Sequence, residues 1–130
     1  MRINEKNYVD NAEAAITELS NMVNKKGKPI PMVTTSKIRN LLAMAADIYN
    51  QALDCKEDVL PDELISRIDY LRVRFMYEAG REQGVRNLVD KAELLDIMKE
   101  IGGNKNNYIL FYHYMEALVA FKRFNNKNDD

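Results

Sequence analysis

Apolar residues recur at every third or fourth position along most of the chain, which is the spacing of amphipathic helices. Clusters of proline and glycine interrupt this spacing and divide the chain into five predicted helices. These helices cover residues 9–23, 34–55, 61–80, 85 to the GGN at 102–104, and 104–124. Because no segment alternates apolar and polar residues as a half-buried strand does, we predict an all-α fold, a compact bundle of about five helices without a sheet.

The length and composition of the chain fit a folded protein. Its 130 residues, 46% of them hydrophobic and 30% charged, supply enough apolar material for the core of one domain. We therefore expect a single helical domain over residues 1–130, with a body at about 8–124 and a disordered tail at 125–130. The formal net charge is only −1, so any attraction to an anionic partner must come from a local patch of basic residues.

The residues that usually carry chemistry are scarce. His113 and Cys55 are the only histidine and the only cysteine, so the pattern offers no metal site, no cofactor motif and no catalytic set. We expect a protein that is not an enzyme. The chain starts without the apolar run of a signal peptide and has no stretch long enough to span a bilayer, which predicts a cytoplasmic protein that does not bind membranes.

The third predicted helix carries an unusual row of arginines and tyrosines. Residues seven apart on a helix differ by only about 20° in direction, so Arg67, Arg74 and Arg81 form one row, with Tyr70 and Tyr77 beside it. We call these five residues the arginine–tyrosine stripe. Guanidinium groups fit phosphate oxygens and tyrosine rings stack on bases, so the stripe is a candidate surface for nucleic acid.

Two other interpretations of this helix remain open. Glu63 precedes Arg67 by four residues and Glu78 follows Arg74 by four, and such pairs are typical of an ordinary solvated face. Arginine and tyrosine are also enriched where proteins bind one another, so the stripe also fits a helical protein–protein adaptor. Arg72 lies at the border of the apolar face, where its stem can cover the core or its head can bind a ligand.

Further basic residues stand near the predicted helix ends. Lys37 and Arg39 follow Thr35 and Ser36 at the start of the second helix, which suits either a phosphate site or plain capping of the helix. Lys122 and Arg123 end the fifth helix, where the helix dipole favours cations whatever the function. The loop lysines are left without a role: Lys25, Lys26 and Lys28.

Four segments together resemble one known family. They are TTSKIRNLL at 34–42, YLRVRFMYEAGRE at 70–82, VDKAELLDIMKEI at 89–101 and YMEALVAFKRF at 114–124. In that order they resemble the small subunit of the type III-A CRISPR effector, the Csm complex. The resemblance covers roughly residues 34–124.

This resemblance implies a non-catalytic, all-helical, RNA-binding subunit that acts in antiviral defence. Several copies of it would line up in a row along guide RNA and target RNA, beside other subunits of the effector complex. The implied contacts are with the RNA backbone and do not depend on base sequence. The family's basic positions fall on Arg39, Arg72, Arg74, Arg81 and Lys122. To these we add Arg67 from the stripe, and we take Lys37, Tyr77 and Arg123 as secondary candidates.

Overall fold

A computed structural model describes residues 1–125 and confirms the all-α fold. Its helices are α1 Tyr8–Asn21, α2 Thr35–Asp54, α3 Asp62–Arg81, α4 Gln83–Lys91, α5 Leu94–Glu100 and α6 Lys105–Asn125. Between residues 1 and 125 there are two isolated β-bridges and no strand. Of the tail predicted at 125–130, Asn125 ends α6, and residues 126–130 lie outside the described residues.

The predicted starts of the second and fifth helices are confirmed by their caps. The hydroxyl oxygen of Thr34 accepts a hydrogen bond from the Lys37 amide at 3.2 Å, and the side-chain oxygen of Asn104 accepts one from the Asn107 amide at 2.9 Å. Each cap satisfies an N–H group that has no partner within its own helix. Local sequence therefore fixes where α2 and α6 begin.

The predicted fourth helix is divided into α4 and α5. Glu93 separates the two helices and adopts a left-handed backbone conformation with φ of 58°. A non-glycine residue rarely takes this conformation, which ends the hydrogen-bonding ladder of α4. The guanidinium of Arg2 contacts the Glu93 carboxylate at 2.7 Å and also reaches Asp96 and Glu100 on α5. The N-terminal segment therefore helps to hold the break.

Buried residues from all six helices form one hydrophobic cluster. Helix α6 packs against α1, α2 and α5, and its aromatic residues Tyr108 and Phe111 are completely buried. Helix α3 buries the apolar face that its sequence predicts: Leu64, Ile68, Leu71, Phe75 and Ala79. The opposite side of α3 is not covered by any segment of residues 1–125.

Helices α2 and α3 lie antiparallel. Lys37 in the first turn of α2 pairs with Glu82 just after α3, whereas Asp47 farther along α2 pairs with Arg67 in the first half of α3. The segment before α2 packs on the start of α4 through Gly84, where an added Cβ atom would lie 2.9 Å from the carbonyl oxygen of Met32. No helix within residues 1–125 is long and apolar enough to cross a membrane.

Candidate nucleic-acid surface

The arginine–tyrosine stripe lies on the uncovered side of α3. Tyr70 and Tyr77 are 62% and 59% exposed, and Arg74 and Arg81 are exposed between and beyond them. On the helix wheel the arginine row lies roughly a quarter turn from the centre of the buried face and the tyrosine row lies farther round, so neither row is part of the buried face. The side chains of the stripe are therefore accessible to a large partner.

A groove between α2 and α3 borders the stripe. One recess, of about 210 Å³, has apolar side chains at its base and a rim formed by Arg67, Tyr70 and Arg74. A second recess adjoins it at Met44 and is lined by Arg81 and Lys37, among others. Helix α2 thus contributes the second wall of the surface, which the stripe alone does not reveal.

Intramolecular carboxylates already engage some of the cations at the groove. The Arg67 guanidinium donates to the Asp47 carboxylate at 2.6 Å, and this hydrogen bond lowers the pKa of Asp47 from its ordinary value. Lys37 lies 3.0 Å from a carboxylate oxygen of Glu82. Because both pairs are solvent-exposed, they are weak enough for a phosphate to compete for the cation.

Arg81 and Arg74 differ in how they are held. The Arg81 guanidinium lies 5.5 Å from the ring centre of Tyr77 and 3.6 Å from a carboxylate oxygen of Glu78. The ring therefore orients the charge towards solvent. Arg74 forms no ion pair with any residue between 1 and 125, so its charge is the least compensated in the stripe. The two intrahelical pairs considered from sequence, Glu63 with Arg67 and Arg74 with Glu78, are replaced by these contacts.

Two predicted basic residues lie apart from the stripe. Arg72 is half-buried and lines a recess beside α5 with Lys99, on a different side of α3 from Arg74. This position agrees with the predicted border of the apolar face. Arg39 is exposed near the start of α2 but lines neither recess of the groove. Consecutive basic residues in the sequence are thus distributed over separate surfaces.

The start of α2 is a capped helix end. Thr34 provides the cap, and the Thr35 side chain is completely buried, with a hydroxyl that has no hydrogen-bond partner among residues 1–125. Thr35 therefore does not face a phosphate in solution, contrary to the site considered from sequence. Capping accounts for the polar residues at this helix start.

Lys122 lies in the last turn of α6, as predicted, but it is buried. Its side chain is completely buried with 0% exposure, whereas the neighbouring Arg123 is exposed in the last turn of α6. A buried ammonium group cannot contact an RNA phosphate without a change of conformation. The spacing of Phe111, Met115, Leu118 and Lys122 by four, three and four residues places all four on the buried face, and this spacing was the signal for burial.

His113 packs against aromatic residues of two other helices. Its Nε2 atom lies 3.3 Å from the Tyr49 hydroxyl, and its ring packs near those of Tyr8 and Tyr49. No group of three or more histidine, cysteine, aspartate or glutamate side chains within the described part of the chain has the arrangement of a metal site. The sequence did not identify Asp47 as the partner of Arg67 or Glu82 as the partner of Lys37, because each pair joins segments that are far apart in the sequence.

Comparison with known proteins identifies the family. The family model described as Csm2 type III-A matches residues 13–128. The chain is 41% identical to the CRISPR system Cms protein Csm2 of Streptococcus thermophilus over 122 residues, which is 94% of this chain and 93% of that protein. It is 37% identical over 97 residues to the protein of the same name from Mycobacterium tuberculosis, covering 75% of this chain and 78% of the relative. The corresponding Enterococcus italicus protein is 33% identical over 100 residues, covering 75% of this chain and 71% of the relative. These matches confirm the resemblance found in the sequence: the chain belongs to the Csm2 family, the small subunits of type III-A CRISPR systems.

Proposed function

We propose that this small subunit is a non-catalytic protein that binds the ribose-phosphate backbones of guide RNA and target RNA in the cytoplasm. Its partners are these RNAs, the other subunits of the effector complex, and copies of itself arranged in a row. The observation that carries the proposal is the accessible stripe on α3, where exposed arginines alternate with exposed tyrosines.

The chemistry of the stripe supports contact with the backbone rather than with particular bases. Arg74 and Arg81 offer forked donors to phosphate oxygens, and Tyr70 and Tyr77 offer ring faces that stack on any base. None of these contacts depends on base identity, so they suit a subunit that must accept any guide sequence. Arg67 joins the same surface when a phosphate displaces Asp47.

The proposed non-catalytic role is supported by the position of the one histidine. His113 lies between Tyr8 and Tyr49 and shares a hydrogen bond with the Tyr49 hydroxyl, contacts that give its ring a structural role. Cleavage of RNA, on this proposal, belongs to other subunits.

The test is fluorescence anisotropy with labelled single-stranded RNA and with a guide–target duplex, over a series of salt concentrations. The Arg74→Ala/Arg81→Ala double variant is expected to bind more weakly, and the slope of log K against log salt should fall by about one for each lost phosphate contact. Arg86→Ala is the matched control, since Arg86 is an exposed arginine that pairs with Asp90 on α4, outside the stripe. Equal affinity and equal slope for the double variant and the wild type would contradict the proposal.

A second candidate function is favoured by the apolar residues that accompany the stripe. Val73 and Met76 on α3 are 54% and 53% exposed beside the tyrosines, which also suits a protein–protein adaptor with an arginine–tyrosine interface. The adaptor function predicts complexes with protein partners that survive ribonuclease treatment. RNA binding predicts that ribonuclease treatment dissociates those complexes, or releases the copies of this subunit that are held only through RNA.

A further inference from the structure

Three lysines outside the stripe are presented by a closed turn. Lys25, Lys26 and Lys28 are exposed, and the Asn24 side chain accepts hydrogen bonds from the amides of Lys26 and Lys28 at 2.8 and 3.1 Å. The backbone N–H of Asn24 donates to the Lys28 carbonyl at 2.7 Å, and Gly27 supplies the positive φ of 77° that the turn requires. We call residues 24–28 the basic turn. The backbone that carries the three lysines is therefore held in a closed conformation.

Acidic residues gather in the connection between α2 and α3. Asp54, Glu57 and Asp58 are exposed, and Lys56 offsets one of their charges. Asp54 ends α2, where the helix dipole disfavours a carboxylate, so local helix stability does not account for it. We call residues 54–59 the acidic loop.

The acidic loop is also held in place. The Lys105 amide donates to the Asp58 carbonyl at 2.7 Å, and the Lys105 side chain donates to the carbonyl of Cys55. The Leu60 amide just after the loop donates to the Gly103 carbonyl at 2.9 Å. A loop anchored at both ends loses little conformational freedom when it binds a partner.

Exposed apolar residues adjoin each charged segment. Met22 and Val23 precede the basic turn with 40% and 57% exposure, whereas Leu53 precedes the acidic loop with 48% exposure and Val59, its last residue, is 72% exposed. Within residues 1–125, neither the lysines of the basic turn nor the carboxylates of the acidic loop form an ion pair. The two segments therefore carry opposite charge and similar apolar neighbours, and neither has an ion-pair partner among the described residues.

We propose that the basic turn of one copy docks against the acidic loop of the next copy of this chain. The charges are complementary, and the apolar side chains beside them supply surface that association can bury. The two segments precede and follow α2, which is 20 residues long and therefore spans roughly 30 Å. A contact between opposite ends of the same helix is heterologous, so it builds a row and does not close into a dimer.

This inference rests on the proposed function only in taking copies of the chain to form a row. It adds the surfaces that join them and a role for the three loop lysines. Because α3 lies antiparallel to α2, the joined copies would bring their arginine–tyrosine stripes into line along the same axis. Successive copies would then present one extended basic surface.

The test uses two charge-reversal variants of the full chain. Variant one is Lys25→Glu/Lys26→Glu/Lys28→Glu, and variant two is Asp54→Lys/Glu57→Lys/Asp58→Lys. Sedimentation velocity over a concentration series should show association for the wild type, and at least about tenfold weaker association for each variant alone, because like charges then face one another. An equimolar mixture of the two variants should recover association, since each acidic turn meets a basic loop in the other variant.

The result that would overturn the inference is loss of association in both variants without recovery in the mixture. A wild type that remains monomeric in sedimentation and binds long RNA without cooperativity would also overturn it. Recovery in the mixture shows that the loss of association in each variant alone is not due to unfolding, because a variant that merely unfolds cannot be rescued by another variant. Circular dichroism of each variant confirms that its helices persist.

RNA binding separates failure of this contact from failure of the proposed function. On an RNA that holds one copy, variant one should bind like the wild type, whereas on an RNA that holds many copies only the wild type and the mixture should bind cooperatively. If variant one loses affinity on the short RNA as well, the lysines contact RNA and the inference is wrong. If the wild type binds neither RNA, the proposed function fails, and the sedimentation experiment still decides whether the copies join through these segments.

Discussion

Helices α3 and α6 carry the same kinds of side chain in opposite surroundings. Tyr70 and Tyr77 on α3 are more than half exposed, whereas Tyr108 and Tyr114 on α6 are 0% and 3% exposed. The buried hydroxyls donate to the carbonyls of Ala45 and Ala92 at 2.8 and 3.0 Å. Burial raises the pKa of both buried phenols. The tyrosines of α6 therefore serve the core, and those of α3 remain available to a partner.

The difference comes from how many sides of each helix are covered. Helix α6 packs against α1, α2 and α5, so even Lys122 near its end is buried. Helix α3 has one buried face and leaves Arg74 in solvent. A cation or a tyrosine on a helix thus indicates binding only where the fold leaves that side of the helix uncovered.

Removal of one aromatic ring should have very different effects on the two helices. Phe111→Ala on α6 should lower the free energy of unfolding by about 3–5 kcal/mol, because the ring is completely buried and leaves a cavity. Tyr77→Ala on α3 should change it by no more than about 0.5 kcal/mol. Urea denaturation measures both values. Similar losses would mean that the exposed side of α3 is packed in solution.

The next test compares one cation from each helix. Lys122→Ala should cost at least about 2 kcal/mol of stability through lost packing of its long buried stem, and it should leave RNA affinity unchanged at temperatures where the variant is folded. Arg74→Ala should do the reverse, with weaker RNA binding and stability within about 0.5 kcal/mol of the wild type. Thermal unfolding measures the stability of both variants, and fluorescence anisotropy measures their affinity for RNA. Weaker RNA binding by folded Lys122→Ala would show that Lys122 contributes to the RNA-binding surface.

Removal of single hydroxyl groups sharpens the contrast between the tyrosines. Tyr108→Phe should lower the free energy of unfolding by about 0.5–1.5 kcal/mol, since its hydroxyl donates to Ala45 in the core. Tyr70→Phe, the matched control, should leave stability unchanged. A stabilised Tyr108→Phe variant would show that the buried hydrogen bond does not compensate for removing the hydroxyl from water.

Removal of the ion pair between Arg67 and Asp47 should strengthen RNA binding, which is the opposite of the effect expected for Arg74→Ala. Asp47→Asn should raise RNA affinity by up to about fivefold, because it frees the guanidinium from an exposed ion pair of at most about 1 kcal/mol. Asp90→Asn removes the partner of Arg86 on α4 and should have no such effect. Equal gains for both variants would indicate a general effect of net charge, and no gain for Asp47→Asn would place Arg67 outside the RNA surface.

The smallest expected effect is a shift in the titration of Asp47. Its hydrogen bond with Arg67 lowers its pKa below the ordinary value of 3.8, so the pair stabilises the fold above that pH and loses this contribution as the pH falls through the lowered pKa. In Arg67→Ala the titration of Asp47, followed by NMR, should return towards 3.8. An unchanged midpoint would show that the pair does not persist in solution.

Local sequence predicts most of this fold because its signals act over a few residues. Thr34 and Asn104 cap their helices at the predicted starts of the second and fifth helices, and the apolar spacing of α3 gives its buried face correctly. The break at Glu93 has no such signal, since neither glycine nor proline stands there and the contact with Arg2 comes from the other end of the chain. The helix that the pattern predicts as one is therefore two.

The candidate surface is predictable only in part. Arg67, Arg74 and Arg81 share a side of α3 because the helix repeat dictates it. The partner of Arg67 is on α2, so helix packing, which short-range spacing does not encode, decides how much of its charge is free. The burial of Lys122 was not predicted, because its position at a helix end outweighed its place on the buried face. Arg72 was grouped with Arg74 because the family motif joins residues that the helix separates.

The closed turn that presents the lysines has a consequence for proteolysis. Trypsin cleaves after lysine but needs an extended segment in its active site, and the bonds from Asn24 to Lys26 and Lys28 keep residues 24–28 folded back. The rate of cleavage in this turn therefore reports how often it opens. Limited digestion could follow that opening directly in the wild type and in Asn24→Ala, with faster nicking in the variant.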